Sequence, residues 1–97
     1  GGCPFIAAAT EFDDRPGPVR DRVVTHLGDV VDTIARSARI SVEEGHFGKD
    51  LDVDQFAFEV WAILLAYHHF ARLMRCKEAR ERADRAFTTL LRDSQAG

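Results

Sequence analysis

Residues 56–74 read FAFEVWAILLAYHHFARLM, and 15 of these 19 side chains are apolar; the exceptions are Glu59, His68, His69 and Arg72. At 3.6 residues per helical turn the segment divides into two opposed stripes. One runs Phe56, Val60, Ile63, Tyr67, Phe70, Met74. The other runs Phe58, Ala62, Leu65, His69, with Trp61, Arg72 and Leu73 beside it. A helix that is apolar nearly all round must be buried nearly all round. A chain of 97 residues can cover one side of it but hardly both. The simplest outside cover is a second copy packed about a two-fold axis, where Ala62 and Ala66 would let backbones approach closely. Leaving several such side chains wet would forfeit about 1.5–3 kcal/mol each, which a small domain cannot spare. The competing reading is a helix at the centre of one monomeric bundle.

Working outward, the punctuation predicts helices and no strands. Asp52, with Gln55 three residues on, forms an Asp-x-x-Gln variant of the capping box and starts the apolar helix, which is expected to reach about Arg75. Upstream, Val19, Val23, Leu27, Val30, Ile34 and Ala38 alternate in steps of four and three. They predict an amphipathic helix from about Pro18 to Glu44, with Gly45 as its left-handed C′ residue. Downstream, Ala79, Ala83, Ala86, Phe87, Leu90 and Leu91 share one face of a helix from Lys77 to about Arg92. Its other face carries possible i,i+4 pairs, Glu78–Arg82, Arg80–Asp84 and Glu81–Arg85. The short link makes the last two helices antiparallel neighbours. A further candidate helix runs from Pro4 to about Asp14 and is stopped by Arg15-Pro16-Gly17-Pro18. The expected architecture is therefore all-α, an antiparallel bundle of about four helices in one domain spanning residues 1–97.

Net charge is −3, which argues against nucleic-acid binding by this segment itself. The charge is unevenly distributed, −6 over residues 1–59 and +3 over residues 72–97, a split that could favour packing of one region against the other, or a solvated basic helix face. Cys3 and Cys76 match no metal or redox spacing and read as free thiols in a reducing compartment. No basic region leads into an apolar run at the N-terminus, so no signal peptide is expected. The stretch Val60 to Ala71 lacks Asp, Glu, Lys and Arg but is shorter than the roughly 20 residues a membrane span needs. The expected location is cytoplasmic, without membrane contact.

The segments Gly2-Cys3-Pro4-Phe5 and Glu11-Phe12-Asp13-Asp14-Arg15-Pro16-Gly17-Pro18-Val19-Arg20, the Glu44-Gly45-His46-Phe47 turn, the Asp50-to-Glu59 run and the basic last helix together resemble the later half of TetR-family transcriptional regulators. The likeness covers essentially the whole chain in order. It implies a helical C-terminal domain that dimerises and encloses a pocket for a small hydrophobic effector, with the last two helices, roughly 53–75 and 77–92, forming a four-helix interface with their counterparts. It also implies an N-terminal helix-turn-helix domain, absent from these residues, through which alone DNA would be bound. A ligand that favours a dimer whose DNA heads are not about 34–36 Å apart would release the operator, and a coupling of about 1–3 kcal/mol is enough.

On this reading the expected ligand contacts are Phe5, Phe12, Glu59, Trp61, Tyr67 and His68. The expected dimer contacts are Phe58, Ala62, Leu65, His69, Arg72, Phe87, Leu90 and Leu91. Which stripe of the apolar helix meets the partner is left open. Each of these residues has a plainer role beside it: Glu59 suits the positive end of its helix, and an aromatic stripe at helical spacing suits a core. No metal is expected, because the adjacent His68 and His69 point about 100° apart on a helix and His69 on an apolar stripe suits a hydrogen-bonded core or interface residue. Asp50-Leu51-Asp52-Val53-Asp54 begins like a calcium loop but has Gln55 at its sixth position and Trp61 at its twelfth. No cofactor motif, nucleophile–base pair or phosphate loop is present, so an enzyme is not expected. The alternatives are an autonomous helical dimerisation scaffold and a small enzyme using His68, His69 and Glu59.

Overall fold

A computed structural model describes residues 17–97. Among the described residues there are three α-helices, here named α1 (Pro18–Glu43), α2 (Val53–His68) and α3 (Ala79–Ser94), with a π-helical turn, His69–Leu73, continuing α2. The expected Pro4-to-Asp14 helix lies outside the described residues, so the all-helical expectation holds and the count of four is not established.

Pro18 opens α1, where its missing N–H has no intrahelical partner to lose. The helix buries Val23, Ala35 and Ala38 and half-buries Leu27, Val30 and Ile34, as the four-three spacing requires; Val19 alone of that stripe is exposed. Its end is a Schellman closure. The N–H of Gly45 donates to Val42 O at 3.1 Å, that of His46 donates to Ser41 O at 2.9 Å, and Gly45 takes φ 81°. The following loop is tied to the C-terminus. Phe47 bridges Gln95 in antiparallel fashion, Gly48 N donates to Ser94 O at 2.9 Å, and Ala96 N donates to His46 O at 3.1 Å. The Phe47 ring also meets that of Phe56 at 5.2 Å between centroids.

Asp52 starts α2 as expected, its carboxylate accepting from Gln55 N at 3.0 Å. The end differs from expectation. The α-helical pattern stops at His68, and the next turn closes through Met74 N donating to His69 O, an i→i+5 bond. Arg75 then adopts φ 49°, and Cys76 N donates to Phe70 O at 2.7 Å. No glycine is available to stop the helix here, so a longer turn and a left-handed arginine do so. α3 correspondingly begins at Ala79 rather than Lys77 and runs to Ser94, whose buried hydroxyl donates to Leu90 O at 2.7 Å. Of the three ion pairs expected along it, Arg80–Asp84 alone comes within range, at 3.9 Å and exposed.

α2 is the central element. It packs against both α1 and α3, which scarcely touch each other. Among the described residues the buried apolar side chains are Val23, Ala35, Ala38, Phe56, Ala57 and Ala79, four of them alanine, and no large side chain is fully buried. Phe58, Leu64, Leu65, Phe70, Leu73, Met74 and Phe87 are all exposed. A core this thin gives little of the burial energy that holds a domain together.

Candidate functional site

The two stripes of α2 meet different fates. Phe56 is buried and Val60, Ile63 and Tyr67 are half-buried, so the first stripe is the one that faces the rest of the chain. Its last two members depart from expectation: Phe70 and Met74 are exposed, lying in and just after the π-helical turn at the open end of the hairpin. The second stripe lies open. Phe58 is 64% exposed and Leu65 41%, and Ala62 and His69 are exposed with them. His69 is therefore no core residue, and its ring contact is to the neighbouring Phe70. Leu73, 74% exposed, extends the same surface. A π turn advances less per residue than an α turn, so Leu73 swings back towards the line of Phe58 and Leu65 instead of passing it.

Beside this stripe, two grooves run between α2 and α3. One, about 510 Å³, is lined by Ala62, Ala66, Tyr67 and Phe70 from one side and by Ala79, Ala83 and Ala86 from the other, with Arg82 its sole charged group. The other, about 500 Å³, lies nearer the start of α2, between Phe56 and Glu59 on one side and Thr89, Leu90 and Asp93 on the other. They share Ala62, Ile63 and Ala86 as lining residues and so lie end to end along the α2–α3 seam, here called the channel. Small residues on both walls produce it: where alanine faces alanine, the helices touch without filling the space above the contact.

The expected ligand contacts are not brought together. Phe5 and Phe12 lie outside the described residues. Glu59 and Tyr67 line the α2–α3 channel, at opposite ends of it. Trp61 and His68 are half-buried on another flank of α2, the one carrying the fully buried Ala57. The expected dimer contacts divide as well. Phe58, Ala62, Leu65, His69 and Arg72 are exposed, and Leu90 lines the channel. Phe87 and Leu91 are turned from Leu90 around α3, by about 60° and about 100°. Ala66, Ala83 and Ala86 are channel walls beyond the expected site residues; the i,i+4 spacing of Ala62 and Ala66 and of Ala79 and Ala83, and the i,i+3 spacing of Ala83 and Ala86, is the signal for them.

Among the described residues no group of three or more His, Cys, Asp or Glu side chains could hold a metal ion, and no helix is long and apolar enough to cross a membrane.

The chain matches the family described as "Tetracyclin repressor-like, C-terminal domain" over residues 1–87. No curated protein and no solved structure matches the chain.

Proposed function

The chain belongs to the family of Tetracyclin repressor-like C-terminal domains, and from that membership we propose that it is the dimerising and effector-sensing part of a transcriptional regulator, a repressor released from DNA by a small hydrophobic molecule. The observation that carries the dimerising role is the open second stripe of α2. Phe58, Leu65 and Leu73 stand exposed beside an apolar channel, on a helix whose opposite side is already occupied by the chain's own core. Covering a large apolar side chain is worth about 1.5–3 kcal/mol, and two-fold symmetry counts each residue twice. A second copy seated on α2 and α3 is the occupant that supplies the missing half of a core.

Effector sensing falls to the opposite flank. Trp61 and His68 are half-buried there, away from the channel that the partner would fill. This flank offers one aromatic surface and one polar group, the usual ingredients of a site for a mostly apolar ligand. Movement of α2 would pass directly to the dimer contact, since α2 carries both surfaces. The role is regulatory, and DNA contact belongs to a helix-turn-helix domain outside these residues.

Sedimentation equilibrium at micromolar concentration tests the dimer: two chains per particle are expected, and Leu65→Asp should raise the dissociation constant at least about a hundredfold. A wild-type monomer under these conditions would refute the proposal. Trp61 is the sole tryptophan, so its emission reports ligand binding directly when apolar compounds are titrated.

A further inference from the structure

We propose that the second copy docks with its α2 antiparallel to the first, Leu65 and Ala66 lying at the two-fold axis and the basic corner after α2 meeting the acidic start of the partner's α2. The inference rests on the dimer reading above and adds its register. An isologous contact requires that if residue i faces residue j, then j faces i. With the axis between residues 65 and 66, Ala62 faces His69 and Phe58 faces Leu73 across the interface. The exposed members of this stripe then meet suitable counterparts. The small Ala62 makes room for the exposed His69, and Phe58 and Leu73, 64% and 74% exposed, cover one another. The π-helical turn is what returns Leu73 to this line.

Charge favours the same antiparallel sense independently. Asp50, Asp52 and Asp54 are exposed at the start of α2, and Arg72, Arg75 and Lys77 are exposed at its far end. A parallel pairing would set each cluster against its own copy. The antiparallel pairing places Arg72 opposite Glu59, both exposed, and Arg75 opposite Phe56, two residues from Asp54. Like charges brought face to face oppose association, and complementary ones fix register.

Disulfide trapping in a Cys3→Ser/Cys76→Ser background decides the register. In the antiparallel dimer two Phe58 positions lie about 22 Å apart, from the rise of 1.5 Å per residue. Phe58→Cys and Leu73→Cys proteins should therefore stay uncross-linked singly and cross-link rapidly when mixed. Both sites are exposed, and circular dichroism verifies that each variant folds. Glu59→Lys and Arg72→Glu should each weaken the dimer about tenfold at low salt, since symmetry doubles every charge contact, and the two together should restore it. Self-cross-linking of Phe58→Cys alone, or a dimer that cross-links in no combination, overturns the register while leaving the dimer reading intact. A wild-type chain that is monomeric throughout overturns both.

Discussion

Arg75 is held at φ 49°, a conformation in which a side chain's Cβ crowds the backbone. Glycine bears no such cost, so Arg75→Gly should stabilise the chain by about 0.5–1 kcal/mol after allowance for glycine's larger chain entropy. The measurement is the thermal midpoint by calorimetry, which should rise by about 2–8 °C for a domain of this size. Gly45 shows the reverse case, a left-handed position that the sequence does fill with glycine. Asp52 is a third residue whose role is local: its carboxylate needs only the next three residues to cap a helix. Such residues were legible in the sequence because their partners are close neighbours along the chain. Arg75 was not legible, since nothing in its own identity asks for a positive φ.

Among the elements, α1 is the one whose course the sequence disclosed almost fully. Its repeat of apolar residues and its closing glycine are both statements about a single helix. α2 was legible as a helix with two apolar sides, yet its end was not. His-His-Phe-Ala-Arg-Leu reads as well in an α turn as in the i→i+5 turn it adopts. Nor could composition show that Trp61 and His68 would part from Glu59 and Tyr67, because which flank of α2 meets α3 is decided by packing between distant segments. The division of α2 into a covered and an uncovered side predicts two kinds of damage. Ala57→Leu inserts bulk at a site 0% exposed and should cost about 1–3 kcal/mol of stability through overpacking. Chemical denaturation measures that loss, and sedimentation of the folded fraction should show dimerisation little changed. Leu65→Asp should give the opposite pattern, an intact helical spectrum with lost association.

At the scale of the molecule, the buried apolar set among the described residues is largely alanine, and most of the larger apolar groups lie outside it. Folding and association are then linked, because anything that binds the native state and not the unfolded one adds to its stability. The thermal midpoint of the wild-type chain should climb steadily with protein concentration, whereas that of Leu65→Asp should be both lower and independent of it. A concentration-independent wild-type midpoint would count against linked folding. The loop after α1 and the residues after α3 contribute from within one chain. The bonds from Gly48 to Ser94 and from Ala96 to His46 hold the start of α2 and the end of α3 together, which keeps the channel between those helices in one shape before any partner arrives.

The turn from His69 to Leu73 holds one more residue than a regular α turn would between the same bonded groups. Winding the same five residues as a regular α turn would rotate everything downstream around the axis by roughly a fifth of a turn. Leu73 would leave its line, and the hairpin would present a different edge to solvent. The winding of this stretch, more than its spelling, thus fixes where Leu73 stands.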